Sequence, residues 1–376
     1  RMAMKHLNDL RQEIDAIDAQ LAALLRQRLQ AARGVAEYKA AHALPIYQSG
    51  REEEILNAFA ANFTPEEAPF ARAFLKNTIR QSREYQYYLN RTVPEETHTA
   101  QPPSVVCYPG VPGSHSGIAA SALYPDAPQR ACAGFEAVFA AIREDPSAIG
   151  VLPLDNSTAG TVGDVYDLLV HNELFIVRAT TRAISHCLLA PPGAMLADIK
   201  HVYSHPQALA QCADYLKSRG FHAREASNTA TAAQYVAGLS DPTTAALASR
   251  ETAALYHLDV LEENVNDERS NQTRFICISQ TPAPTAQANR LSLAFDLPNT
   301  PGALSDILAI FSDSCVNLTK ILSRPIPERP WEYTFYLDCE YTPRSPALQG
   351  VFTHLRAELP AMKLLGIYHE EELQCS

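Results

Sequence analysis

The sequence has no apolar run long enough to cross a membrane and no cysteines paired as Cys-x-x-Cys. A transmembrane helix is excluded because it needs about 20 consecutive apolar residues. The 8 cysteines are scattered, so no zinc site is predicted and a reduced compartment is favoured. The amino terminus lacks the charged and then apolar pattern of a secretion signal. We therefore expect a cytoplasmic protein that holds no metal and needs no cofactor.

Positive charge is scarce in this chain. It has 31 Lys and Arg against 42 Asp and Glu, which gives a formal net charge of −11. A general attraction to nucleic acid or to an anionic membrane surface is therefore disfavoured, and an anionic ligand must meet a local cationic site. The 376 residues are 46% hydrophobic, enough for several cores, so two or three domains are expected.

Two segments are poor in apolar residues and rich in proline and threonine. They are residues 92–104 and 280–289. This composition is typical of solvated connectors. It predicts three domains, at residues 1–91, 104–280 and 290–371.

The first domain has a helical pattern and no strand-like run. Its apolar residues recur at alternating steps of three and four, at Leu7, Leu10, Ile14, Ile17, Leu21 and Leu24. This periodicity predicts one long amphipathic helix that ends before Pro45, followed by helices from Arg51 and from Glu66 to Leu89. Three helices of such unequal length favour dimerisation.

Polar residues interrupt the apolar face of these helices. Arg28 falls on the stripe, and Lys39 lies eleven residues further, about 16 Å along the same face. Arg11 is turned by about 100° and is expected to serve another protomer's site. In the third helix the inward stripe is also polar, at Thr78, Ser82 and Gln86. A bland alternative is that these residues are solvated or form structural ion pairs.

In order and spacing, these residues resemble the site of the helical class of chorismate mutases. The matching set is Arg11, Arg28, Lys39, Arg51, Glu52, Ser82 and Gln86. The resemblance implies that Arg28 and a second copy's Arg11 bind the two substrate carboxylates. It also implies that Lys39 and Gln86 donate to the ether oxygen of the breaking bond and that Glu52 holds the ring hydroxyl. Arg51 and Ser82 complete the substrate-binding set.

The middle segment alternates short apolar runs with helix-length stretches, which predicts an α/β domain. Five of its strand-to-helix junctions are rich in Ser, Thr and Asn, at residues 110–116, 152–160, 203–207, 228–233 and 271–275. Such junctions can receive carboxylates through neutral donors and helix amino termini. That arrangement suits an acidic chain.

Together these junctions resemble prephenate dehydratases, whose two-lobed fold is similar to periplasmic binding proteins. The resemblance implies that Thr273, in the Asn-x-Thr-Arg-Phe motif, donates to the leaving hydroxyl. It implies a pocket shaped by Asn156, Ser204, Gln211, Thr229 and Arg274. This chain has His115 where the family has Tyr or Phe, and Asp155 where it has Glu. Arogenate therefore stays open as an alternative second substrate.

The last segment has the order βαββαβ, which predicts an α+β ferredoxin-like domain. Two of its motifs resemble ACT domains, in which phenylalanine binds between paired domains and inhibits catalysis. The residues implied in that allosteric site are Gly302, Ala303, Leu304, Ser305, Ser323, Arg324, Pro325 and Trp331. The family's glutamate before the Ser-Arg-Pro motif is replaced here by Leu322.

The three resemblances cover the chain from Leu7 to Ile367. They imply a homodimeric bifunctional enzyme that converts chorismate to prephenate and prephenate to phenylpyruvate, with phenylalanine as effector. The alternative is an amino-acid-sensing regulatory protein with degenerate active sites. The features that favour the enzyme are Arg28, Lys39 and Gln86 in one site together with the intact Thr273-Arg274-Phe275, because a pure sensor would not need both.

Overall fold

A computed structural model describes residues 6–47, 49–91, 102–268, 270–327, 329–359 and 361–373. The chain divides into two compact units: Arg1–Glu95 with Ala294–Met362, and Glu96–Leu293 with Lys363–Ser376. The division does not follow the two connectors expected from composition, and residues 92–101 of the first connector lie outside the described residues. Within the described ranges, none of the helices combines the length and the hydropathy needed to span a membrane.

The first unit begins with three helices, as predicted. They are α1 (Leu7–Ala41), α2 (Ser49–Ala60) and α3 (Ala68–Leu89). Proline in the first turn of α3 suits a helix start because the missing N–H would have no intrahelical partner. Leu56, Leu75 and Ile79 form the small buried cluster that joins α2 to α3.

The predicted apolar stripe of α1 is present but uncovered in a single chain. Of the residues in α1, only Ala32 and Ala36 are buried. The side chains of the stripe are between 40% and 59% exposed, at Leu7, Leu10, Ile14, Ile17, Leu21 and Leu24. An apolar face of this length is typical of an association surface.

The second unit has two lobes. The strands of the first lobe are β1 (Val106–Pro109), β2 (Gln129–Cys132), β3 (Ile149–Asn156), β4 (Gly160–Thr161) and β5 (Phe175–Ala183). Its helices are α4 (His115–Leu123), α5 (Phe135–Glu144) and α6 (Gly163–His171). β1 pairs in parallel with β2 and β3. Ser114 caps α4 by accepting a hydrogen bond from the N–H of Gly117.

The second lobe is a five-stranded sheet in the order β10-β6-β9-β7-β8. Its strands are β6 (Cys187–Ala190), β7 (His201–Ser204), β8 (His222–Glu225), β9 (Thr244–Ala248) and β10 (Asp259–Glu262). Its helices are α7 (Pro206–Gln211), α8 (Ala213–Arg219), α9 (Thr229–Leu239) and α10 (Arg250–Tyr256). The chain then returns as β11 (Gln272–Ser279), which pairs with β3 and β5 of the first lobe. Two chain crossings between lobes confirm the two-lobed prediction.

The remaining elements confirm the predicted order βαββαβ. They are β12 (Arg290–Leu297), α11 (Ala303–Asp313), β13 (Leu318–Pro325), β14 (Tyr333–Glu340), α12 (Pro346–Glu358) and β15 (Lys363–Leu373). The strand order β13-β14-β12-β15 is ferredoxin-like. β15 is longer than the fold requires, and His369–Leu373 pairs in parallel with β5.

Candidate active sites

The first candidate site lies where α1 meets α3. The Nε of Arg28 donates to the hydroxyl of Ser82 over 3.2 Å. One turn further along α3, the amide of Gln86 donates to the carbonyl of Ser82 over 3.2 Å. Gln86 is buried, and its Oε1 has no hydrogen-bond partner among the described residues. The structure therefore brings Arg28, Ser82 and Gln86 together.

Lys39 and Glu52 form the other half of this site. The Nζ of Lys39 donates to the carbonyl of Ile46 over 2.6 Å. Burial lowers the pKa of Lys39, the carboxylate of Glu52 opposes that shift, and Arg51 adds to it. Burial also raises the pKa of Glu52, which Arg83 and Lys39 counter. A cation and a carboxylate thus face each other at the end of α1.

Arg83 is a residue of this site that sequence reasoning missed. Its Nη1 donates to both oxygens of Glu52, over 3.1 and 3.2 Å. Nothing in the helical periodicity distinguishes Arg83 from other charged residues on α3, because its partner lies on another helix.

One expectation about this site differs from the single-chain geometry, and one agrees with it. Arg28 is exposed and not buried, although its Nε donates to Ser82 of α3. Arg11 lies on the same uninterrupted helix, seventeen residues earlier, and is therefore about 25 Å from Arg28 along the axis. A single chain does not bring these two arginines together. Arg51 is exposed beside Glu52.

The second candidate site is a cleft of about 610 Å³ within the two-lobed unit. All five junctions singled out in the sequence contribute to its lining, through Ser114, His115, Asn156, His205, Gln211, Asn228, Thr229, Asn271 and Thr273 among others. The helix starts of α4 and α9 face it, and Asn228 caps α9 by accepting from the N–H of Thr231. The cleft is therefore rich in neutral donors.

The hydroxyl of Thr273 already accepts a hydrogen bond from a neighbouring side chain. The amide nitrogen of Asn156 donates to the hydroxyl oxygen of Thr273 over 2.8 Å. The amide oxygen of Asn156 accepts from the backbone N–H groups of Thr158 and Ala159, over 3.0 and 2.7 Å, which fixes the orientation of the amide. Because the hydroxyl of Thr273 accepts from Asn156, its own proton is available for a group in the cleft.

Gln211 and His186 also line the cleft. The Oε1 of Gln211 accepts from Asn271 over 3.1 Å and lies 3.2 Å from the Nε2 of His186. Burial lowers the pKa of His186, so its ring is neutral. The Nε2 of Gln211 and the Nδ1 of His186 are buried and have no partner among the described residues. His186 was not predicted; it precedes the short strand β6, whose sequence gives no signal of a site.

His115 adds a second neutral ring to the cleft. Burial lowers the pKa of His115 to about 3, and His186 and Arg182 act in the same direction. The two histidine rings are 5.8 Å apart between centroids. Neither His115 nor His186 therefore brings a positive charge to the cleft.

Two residues expected to shape the pocket do not line the cleft. The hydroxyl of Ser204 is buried and donates to the carbonyl of Leu247 over 2.7 Å. Arg274 follows Thr273 on β11, so its side chain points to the other face of the sheet. There it donates to Glu370 over 2.5 Å and to the hydroxyl of Tyr368 over 2.7 Å. Ser204 and Arg274 therefore differ from the expectation that they shape the pocket.

One ACT-like motif follows the carboxyl end of β12, and the other forms the carboxyl end of β13. Gly302 caps α11 with a φ of +87°, a conformation that favours glycine, and Ala303, Leu304 and Ser305 form the first turn. Ser323, Arg324 and Pro325 end β13. Asp296, near the end of β12, accepts from Thr334 of β14 over 2.7 Å, which joins the two regions. Trp331 lies just before β14 and is 77% exposed.

Comparison with known proteins gives the same three parts in the same order. The matching family models are chorismate mutase type II over residues 10–87, prephenate dehydratase over 106–283 and the ACT domain over 291–343. The bifunctional chorismate mutase/prephenate dehydratase of Escherichia coli (strain K12) is 30% identical, over 97% of this chain and 96% of that protein. The chain belongs to this bifunctional family.

Other relatives match the dehydratase and ACT parts of this bifunctional enzyme. An arogenate dehydratase/prephenate dehydratase of Arabidopsis thaliana is 36% identical over 70% of this chain and 71% of its own length. A solved prephenate dehydratase from Arthrobacter aurescens, in complex with L-Phe, is 28% identical with a TM-score of 0.65, over 70% of this chain and 89% of that one. The presence of both a mutase and a dehydratase domain favours the enzyme over a regulatory protein with degenerate sites.

Proposed function

We propose that this chorismate mutase and prephenate dehydratase uses the two sites described above for consecutive steps toward phenylalanine. The functional domains are taken as residues 1–91, 104–280 and 290–371. The observation that supports the proposal most directly is the pairing of a cationic helical site with a separate, neutral cleft that contains Thr273. The first suits a dianion, and the second suits the departure of a hydroxyl group.

The first step is a pericyclic rearrangement, which involves no proton transfer and no covalent intermediate. Its rate therefore depends on binding the reactive conformation and on stabilising charge that develops on the ether oxygen. Lys39 and Gln86 are the donors to that oxygen, since each has N–H groups left after its one internal hydrogen bond. Arg28 and Ser82 bind a carboxylate, and Glu52, next to Arg51, accepts from the ring hydroxyl.

The mutase site is completed by a second copy of the chain. Arg11 is too far from Arg28 to share its ligand within one chain, and the apolar stripe of α1 is exposed. Packing two α1 helices against each other would bury the stripe and bring each Arg11 to the other copy's Arg28. We therefore propose a homodimer.

The second step removes carbon dioxide and the ring hydroxyl from prephenate. The electron pair of the carboxylate bond enters the ring as carbon dioxide leaves, and the C–O bond of the hydroxyl breaks. Thr273 donates to the departing oxygen, and Asn156 holds the threonine in place. Gln211 and Thr229, with the helix starts of α4 and α9, bind the carboxylates.

Arogenate is the second candidate substrate of the cleft. Five curated relatives of the dehydratase and ACT parts carry arogenate dehydratase in their names. Prephenate carries a keto group at the position where arogenate carries an ammonium group. The ratio of kcat/KM values for prephenate and arogenate distinguishes them.

Phenylalanine is the proposed effector of the ACT domain. The structurally similar dehydratase was solved with L-Phe bound. The site we assign is the sheet edge defined by Gly302–Ser305, Ser323–Pro325 and Trp331, paired with the same edge of a second copy. We also propose that the enzyme is located in the cytoplasm.

The direct test supplies the purified full-length chain with chorismate and, separately, with prephenate. Loss of chorismate absorbance and formation of phenylpyruvate are followed. The proposal expects both substrates to be consumed and phenylpyruvate to form from either. Absence of turnover with both substrates would overturn it.

A further inference from the structure

Helix α3 of the mutase domain is tied to the ACT domain by a row of ion pairs. Lys76, Arg80 and Arg83 lie on one face of α3, and their partners are Asp306, Asp313 and Glu358, at 2.8, 2.8 and 3.4 Å. The first two partners lie on α11 and the third lies at the end of α12. The three basic residues are spaced at i, i+4 and i+7, so they share a helix face.

Arg83 differs from the other two because it also reaches into the mutase site. Its guanidinium pairs with Glu52 over 3.1 Å and lies 4.6 Å from the ring centroid of Tyr47. Its side chain is only 15% exposed. Arg83 is therefore held between a carboxylate of the mutase site and a carboxylate of the ACT domain.

Glu358 lies beside a buried histidine as well as beside Arg83. The Nε2 of His354 lies 2.8 Å from its Oε1, and His354 is buried and stacked on Tyr87 of α3 at 4.5 Å. Burial alone would raise the pKa of Glu358, but His354 and Arg83 hold it below its usual value. Glu358 thus remains a carboxylate and can anchor Arg83.

We propose that Arg83 is a positioning residue for the mutase reaction and that Glu358, on helix α12 of the ACT domain, holds Arg83 against Glu52. The C-terminal domain thereby supports the first active site. The inference rests on the proposed role of Glu52 in accepting from the ring hydroxyl of chorismate. A carboxylate that is ion-paired with Arg83 keeps one orientation, so less conformational entropy is lost when chorismate binds.

The charges around Glu52 set the expected pH dependence. They are Lys39 on α1, Arg51 on α2, Arg83 on α3 and Glu358 on α12, and the ring of Tyr87 lies close as well. Arg83 lowers the pKa of Glu52, so its removal raises that pKa. Ionised Glu52 is then lost at a higher pH, and the acid limb of mutase kcat/KM moves upward.

The test compares Arg83→Gln, Arg83→Lys and Glu358→Gln in the full-length chain. Arg83→Gln should raise the KM for chorismate roughly tenfold, change kcat little and move the acid limb upward. Arg83→Lys keeps the charge and should restore most of the acid limb. Because Glu358 itself raises the pKa of Glu52, Glu358→Gln is judged by KM alone and should also raise it.

Arg80→Gln is the matched control. Arg80 lies one turn earlier on α3 and pairs with Asp313 and Glu84. It should leave the KM and the acid limb unchanged, and all variants should keep wild-type dehydratase activity. The inference is overturned if Arg83→Gln has a wild-type KM and acid limb, or if Arg80→Gln reproduces its effects. Failure of the proposed function itself is separate, since the wild-type chain would then lack mutase activity.

Discussion

A threonine hydroxyl has one proton to donate and two lone pairs with which to accept. In this enzyme Asn156 uses one lone pair of Thr273, and the amide of Asn156 is fixed by backbone donors. Thr273 therefore presents its proton to the cleft without needing an unusual acidity. In the role that we propose for Thr273, the position of the hydroxyl matters more than its pKa.

His115 gives a prediction about acid stability. Because the folded pKa of His115 is about 3, below the usual value of about 6.5, folding favours the neutral ring. That stability is fully present above about pH 6.5 and is lost as the pH falls toward 3. His115→Phe removes this proton linkage, so its Tm should fall less steeply with acid than the wild-type Tm. Thermal unfolding measured across this range checks it, and parallel curves would contradict it.

The sequence predicted many residues of the two sites but not which of their side chains point into the sites. Thr273 and Asn156 stand in motifs that point to the cleft, and the structure places both there. Ser204 and Arg274 belong to the same motifs and face away, because neighbouring strands decide which side of a residue is buried. Arg83 and His186 were missed because their partners are distant in the sequence.

At the scale of elements, apolar segments were predicted well and exposed strands were not. Helix α1 and strands β1, β3, β5, β7, β9 and β11 follow apolar patterns that the sequence shows. β2 and β8 have four residues each, mostly exposed, and exist through their pairing with β1 and β7. Their own residues therefore gave no signal.

The exposed stripe of α1 makes dimerisation testable. Leu21→Glu places a charge in the proposed helix pair, where its desolvation is unfavourable, so the dimer should dissociate. Mutase activity should fall by roughly 10²-fold or more with the loss of Arg11 from the second copy, while dehydratase activity is retained. Light scattering measures the mass.

Met195→Glu is the control for this experiment. Met195 is also an exposed apolar residue, at 67%, but it lies in the two-lobed unit. Its replacement should change neither mass nor mutase activity. An undissociated Leu21→Glu protein with normal mutase turnover would speak against the proposed interface.

At the scale of the whole molecule, the three family domains do not coincide with the two compact units of the structure. The family models follow the sequence in three parts, whereas the mutase helices and most of the ACT domain form one compact unit. Composition predicts two connectors but not this grouping, because the grouping results from pairs such as Lys76–Asp306 between residues far apart in the chain.

The fluorescence of Trp331 can report the binding of phenylalanine. The chain has 1 tryptophan, Trp331, which is 77% exposed at the proposed effector edge. Phenylalanine should bury this ring and change its fluorescence in a saturable way, with a parallel fall in dehydratase activity. Glycine is the control ligand. Saturating inhibition with no change in Trp331 fluorescence would place the effector elsewhere.

The proposal of two separate active sites is tested most directly by assaying Lys39→Ala and Thr273→Val with chorismate and with prephenate. Thr180→Val is the control. Thr180 lies on β5, and its buried hydroxyl has no hydrogen-bond partner among the described residues. Lys39→Ala should lose roughly 10²-fold or more of its turnover of chorismate and still convert prephenate. Thr273→Val should convert chorismate normally and accumulate prephenate. If either variant lost both activities together while Thr180→Val kept both, two separate active sites in one chain would be contradicted.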